Sequence, residues 1–456
     1  MKRYFNKSRR SFITSMAAVI SAAIFNSCSK QEKKMKGKKS NPPKPSATVF
    51  RAVNGNPVQN MGKILSMMGG IENIVGHDDI VVIKPNLQWW NQGAPNIAAV
   101  HCFVTQIFNR PGGFSGEVVI AENSHMGKAP WEHAGWNRRF ERNSGLEGVF
   151  NYNELAKLLR KDYGDAFSAC YLINVKTGAK RVYSPSEGPG YVYCDGTGGV
   201  PLLKIDNGLD GDQKRETIMT YPVMKTDRET TIDFKNGIWE KDAYSERPLR
   251  FFNFAALNHH SFYCGVTSAV KNYLGIVDLS GGPNTFDDGK IIDNYYNFHT
   301  FPFDYWDKGP VPGVMGSAIG YFMKTVRKAD MNFITAQWSG LASRVEPPVS
   351  KTKIIMASKD PVALDYHASK YVLHPNSNAK VHDPDNTSLP LYNYLAKCAE
   401  QTGYIIDEKV TAVKSFDFLK DALQDINNLE VKGDKIWGNH LKSIAEHVLL
   451  HFITSR

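Results

Sequence analysis

Between Asp79 and Pro85 the chain carries four consecutive β-branched residues, Ile80-Val81-Val82-Ile83, followed by Lys84. A short apolar run without polar alternation predicts a buried strand, and Pro85 denies it further pairing. Comparable runs at 48–53, 117–122, 251–257, 331–336 and 353–357 alternate with helical periodicity at 58–75, 97–109, 266–273, 318–328 and 361–373. Strands separated by helices imply parallel βαβ units rather than a sandwich. The expected class is therefore α/β, a mixed or parallel sheet with flanking helices.

Residues 179–250 break this rhythm with Gly188-Pro189-Gly190, Gly196-Thr197-Gly198-Gly199 and an alternating stretch at 230–239. They read as a β-rich insertion, in which Asn236-Gly237 signals a type I′ hairpin. Two amphipathic helices are expected at 416–428 and 437–452, the second with a core stripe of Leu441, Ile444, Ala445, Val448, Leu449 and Phe452. The body thus divides into an α/β part at 47–178, the insertion at 179–250, a second α/β part at 251–405 and a helical segment at 406–456.

The net charge of +10 would ordinarily suggest nucleic acid or an anionic membrane. Its location argues otherwise. Residues 1–45 hold twelve basic side chains and one acid, leaving 43 basic against 44 acidic residues in the body. A body at −1 gives no basis for nucleic-acid binding.

That charged beginning has its own layout. Ser8-Arg9-Arg10-Ser11-Phe12-Ile13-Thr14 precedes a weakly apolar run to Phe25, too short to span a bilayer, and then Ser27-Cys28. It resembles a twin-arginine export signal over residues 1–27, with Cys28 placed as a lipoprotein attachment cysteine. Phe25 and Asn26 depart from the usual small aliphatic residues, and an ordinary secretory signal with a spared cysteine is the alternative. Residues 28–46 are basic and lack apolar periodicity, which predicts a disordered tether, lying against anionic headgroups or simply solvated. The expected partners are the twin-arginine export machinery and, through a lipid anchor, a membrane. The expected location is the cell envelope or periplasm.

Five other cysteines, Cys102, Cys170, Cys194, Cys264 and Cys398, include no C-x-x-C pair, which argues against an iron–sulphur cluster or zinc ribbon. A Cys170–Cys194 disulfide and isolated thiols both remain open. Asp206-Asn207-Gly208-Leu209-Asp210-Gly211-Asp212 lacks the ligand register of a calcium loop, and Gly196–Gly199 lacks the Lys-Ser/Thr of a phosphate loop.

In α/β sheets ligands gather beyond the carboxyl ends of strands. Three such ends carry polar residues: Lys84-Pro85-Asn86, then Glu122-Asn123-Ser124-His125, then Asn258-His259-His260. Lys271-Asn272 follow inside an apolar helix, where a lysine either pairs with a carboxylate or anionic ligand, or extends its head to water. His260 suits proton transfer or metal ligation, and a hydrogen-bonded or exposed His259–His260 pair without metal is the alternative. Asp360 precedes Pro361 as a helix N-cap, and Asp365, one turn further, is the expected partner of a lysine.

Three segments together, Val82-Ile83-Lys84-Pro85-Asn86-Leu87, His260 with 266–275, and Ala357-Ser358-Lys359-Asp360-Pro361-Val362-Ala363-Leu364-Asp365, resemble domain-of-unknown-function family 362 across residues 47–400. The resemblance implies an exported protein, in agreement with Arg9-Arg10. Some members carry ferredoxin-type clusters, whereas this chain lacks cluster cysteines and has Asn258 where lysine often stands. A fainter similarity to nickel-dependent lactate racemases rests on His260 and Lys271 alone.

The expected function is a cleft holding an anionic ligand or cofactor between Lys84 and Lys271. His260 would serve as proton-transfer group or divalent-metal ligand, Lys271 and Asp365 as its catalytic companions, and Asn86, Asn272 and His125 as ligand contacts. The alternative is a non-catalytic lipoprotein that binds a ligand or partner.

Overall fold

The computed structural model describes residues 47–123, 134–260, 264–282, 295–302 and 310–431. The signal, the tether, Cys28, His125 and the helix expected at 437–452 lie outside them. Eight strands build the central sheet: β1 (Ala47–Val53), β2 (Ile80–Pro85), β3 (Glu117–Asn123), β4 (Phe167–Leu172), β5 (Leu249–Ala255), β6 (Met331–Ile334), β7 (Ile354–Ser358) and β8 (Thr411–Asp417). Their spatial order is β8-β1-β7-β6-β5-β2-β3-β4. Only β7 opposes its neighbours, pairing antiparallel with β1 and β6, so the sheet is mixed, as an α/β reading allowed.

Helices cover both faces. On one lie α1 (Pro57–Met67), α2 (Ile97–Phe108) and α3 (Tyr152–Tyr163). On the other lie the single turn α4 (Ala269–Asn272), then α5 (Val314–Thr325), α6 (Pro361–Ala368) and α7 (Pro390–Thr402). Local chemistry fixes the ends: Asn56 caps α1 through a reciprocal box with Gln59, and Gly69 and Gly70, both at positive φ, stop it well short of residue 75. On α2, Phe103 meets Phe252, Phe254 and Phe333 edge-on at centroid distances of 5.0–5.2 Å, which locks that helix over β5 and β6.

The insertion forms its own six-stranded sheet from strands between Arg181–Val182 and Ala243–Tyr244, with a separate hairpin of Lys204–Asp206 and Glu216–Ile218. The Asn236-Gly237 turn differs from expectation. Asp233 pairs with Gly237, so the loop is the three residues Phe234, Lys235 and Asn236, and the Asp233 carboxylate accepts the N–H groups of Lys235 and Asn236. Hydrogen bonds from Asn123 to Tyr191 and from Tyr193 to Asp278 anchor the insertion beside the carboxyl end of β3.

Two further expectations are corrected. The region from residue 406 is not wholly helical, because β8 adds a parallel edge strand to β1 before α8 (Phe418–Val431) begins. The helix expected from residue 266 starts later: the β-branched pair Val266–Thr267 is a strand against Asn258–His259, and after Ser268 one α turn runs into a 3-10 turn at Tyr273–Ile276. The five body cysteines are free thiols, Cys170 and Cys194 included. No helix among the described residues is long and apolar enough to cross a membrane.

Candidate functional site

Strand β2 is buried along its whole length and ends by carrying Lys84 to 0 % exposure. The Lys84 ammonium lies 2.6 Å from Oε2 of Glu122 on neighbouring β3, and donates to Asn272 Oδ1 at 2.7 Å and to the Pro85 carbonyl at 3.0 Å. Oε2 has no hydrogen bond of good angle, so charge rather than direction holds the 2.6 Å contact, while Oε1 accepts the Leu87 N–H. Burial disfavours both charges. It pushes Glu122 up to about 7 and Lys84 down, each opposed by the other's charge. The expected grip of Lys84 on a ligand is therefore corrected: its counter-charge is internal.

Asn272, expected to orient a ligand, is likewise engaged inside the protein. Its Nδ2 donates to Asn253 Oδ1 at 2.7 Å and to the Phe254 carbonyl at 2.8 Å. Asn253 Nδ2 reaches Asn332 Oδ1 at 2.9 Å and the Ala269 carbonyl, and Asn332 continues to the Ser358 carbonyl. This chain of amides ties β2, β5, β6 and β7 to α4 from within the sheet.

Among the described residues Asp365 does not partner a lysine. Its two carboxylate oxygens accept the N–H groups of Ala269 and Val270 at 2.8 and 2.9 Å, which are orphan donors at the start of α4. Burial, partly offset by these bonds, raises it to about 7. It thus fixes the turn that carries Lys271. Asp360 caps α6 through Val362 and Ala363, as expected.

Lys271 is different. It is 6 % exposed, its Nζ lies 3.0 Å from His299 Nε2, and among the described residues no carboxylate lies within 4.0 Å of it. Burial lowers it to about 8, opposed in part by Cys264, with Arg344 and Lys84 adding repulsion. Arg344 sits with its guanidinium 4.9 Å from the Trp89 ring centroid, and its Nε is buried without a hydrogen bond. His260 is pushed well down by burial, then by Lys271, Arg344 and His259, and so is neutral near pH 7. The pocket at Lys271 is also lined by Asn86, Gln88, Thr267 and Gly275, and its open volume of about 20 Å³ suits one or two waters.

The two adjacent histidines part company. His259 Nδ1 lies 2.9 Å from His382 Nε2, and His382 Nδ1 lies 2.6 Å from Ser377 Oγ, whereas His260 feels the charges of Lys271 and Arg344. No three His, Cys, Asp or Glu side chains converge as a metal cluster among the described residues. Asn258 clamps the backbone at Gln92 and Gly340.

Sequence reasoning missed His299, Arg344 and Thr267, which sit on turns and a two-residue strand without periodicity. It also passed over Gly275. A Cβ there would lie 2.4 Å from Glu122 Oε2 and 2.5 Å from Lys84 Nζ, both fully enclosed. Gly275→Ala should therefore cost about 1–3 kcal/mol, read as a lower urea midpoint.

The site gathers, beyond the carboxyl ends of β2, β3 and β5, an internally balanced pair and a separate cationic group without a carboxylate partner among the described residues. No protein-family model, curated protein or solved structure matches the chain.

Proposed function

We propose that the chain binds a small anionic ligand at Lys271, with Arg344 contributing positive potential and His260 or His299 exchanging protons with it. One observation carries this reading: a lysine 6 % exposed whose nearest polar side chain among the described residues is the His299 imidazole rather than a carboxylate. A buried cation without a counter-charge is costly, and an incoming anion relieves that cost. A lysine near 8 suits proton transfer around pH 7. The small open volume favours a second reading, a non-catalytic holder of a fixed anion.

The export signal, the Cys28 lipid anchor and the envelope location belong to the same proposal and derive from Arg9-Arg10 and Cys28. The family resemblance rests on three short motifs, and the ligand assignment stands on Lys271 without it.

The test is native mass spectrometry with elemental analysis of protein matured through its own export route. One stoichiometric acidic molecule should accompany the wild type and be lost in Lys271→Met. A stoichiometric metal lost in His260→Ala would assign the divalent-metal branch. Wild-type protein of bare mass, carrying neither, counts against the proposal.

A further inference from the structure

Far from Lys271 in the sheet order, β1 directs alternate residues toward the face covered by α6. Ala47, Val49 and Val53 on that register belong to the core, and Arg51 interrupts them with a guanidinium. Arg51 pairs across the sheet with Met356 on β7 and Ser415 on β8. Together with Met356, His367, Tyr371, Glu408, Thr411 and Val413 it lines a partly open cavity of about 200 Å³.

Two buried nitrogens from different elements lack a hydrogen bond there, Arg51 Nε and His367 Nε2, and His367 is 4 % exposed. Leaving such groups unpaired costs about 1–3 kcal/mol each, which is uncommon without a missing partner. The surrounding carboxylates already hold other donors. Glu408 accepts from Lys370 at 2.7 Å and from the Tyr371 hydroxyl, Lys370 also meets Asp385 at 3.0 Å, and Asp417 accepts from Asn54 and from the Leu419 N–H. Among the described residues no carboxylate lies within 4.0 Å of Arg51. Burial lowers both Arg51 and His367, opposed in part by the charges of Asp417 and Glu408 respectively.

We propose that this cavity is a second ligand site, which takes a small organic monocarboxylate, its oxygens on Arg51 and His367 Nε2 and its short apolar body against Met356 and Val413. Glu408 in the wall disfavours a doubly charged ion such as phosphate, which would bring a second negative charge beside it.

The probe is butyrate, titrated into the mature chain carrying ¹⁵N-histidine, with the His367 ring signal assigned through His367→Gln. Butyrate should shift that signal saturably, inorganic phosphate should not, and Arg51→Met should weaken the response about 10-fold or more, the size of a lost charge-assisted contact. Should Arg51→Met fail to fold, Arg51→Lys keeps charge but loses the planar fork, and should also weaken binding. A His367 signal that ignores butyrate, that follows phosphate equally, or that responds unchanged in a folded Arg51 variant overturns the assignment.

Discussion

Lys84→Met should lower stability by about 3–5 kcal/mol at pH 8, because it leaves Glu122 buried without its cation. The loss should depend on pH in a defined direction. Glu122 already sits near 7 with Lys84 beside it, and removing the ammonium raises it further. A carboxyl whose folded value lies above its unfolded 4.5 loses stability as pH rises from that value through the folded one. Near pH 5 the variant's Glu122 is protonated and neutral, so the deficit should be small, and at pH 8 it should be large. Lys84→Met/Glu122→Gln should recover most of it. Urea unfolding at the two pH values checks this, and an equal deficit at both would show that charge is not the cause.

Lys271→Met should act in the opposite sense, raising the stability of ligand-free protein while weakening its anion about 10- to 100-fold. The shift of Lys271 from 10.5 to about 8 corresponds to about 3 kcal/mol held against the charged form at 6 % exposure. Below about 8 the ammonium persists in folded and unfolded states alike, and the fold bears that cost. As pH rises from about 8 toward 10.5 the folded lysine is neutral while the unfolded one still binds a proton, so wild-type stability climbs. The variant should lack this climb. Anion affinity should fall over the same rise, since the proton that costs stability also carries the charge the ligand needs. Urea midpoints across pH 7–11 and ligand titrations at pH 7 and 9.5 read the two trends separately.

The strands were legible in the sequence where runs of β-branched residues left one option, as in Ile80-Val81-Val82-Ile83, and the crowding of polar residues beyond β2, β3 and β5 follows from that. Partner assignments were not legible, because they depend on which ends meet. Asp365 and Lys271 both reach α4, yet the orphan N–H groups of Ala269 and Val270 claim the carboxylate first. Glu122 stands 38 residues from Lys84, and only the adjacency of β2 and β3 shows that it takes the counter-charge. Signals for other elements were present but weak. Asn151 with Glu154 caps α3, Pro390 and Gly403 bracket α7, and Asn253 and Asn332 interrupt apolar strands where amides are uncommon. β8 escaped notice because an edge strand with its middle exposed shows little apolar alternation.

The most direct measurement is the titration of the Lys271 side chain itself, followed by ¹³Cε or ¹⁵Nζ resonances in ligand-free protein and again with the co-purifying anion. A midpoint near 8 that moves upward when the anion binds is the expected result. A midpoint at the ordinary 10.5, unmoved by the anion, would contradict a buried lysine with no carboxylate partner among the described residues.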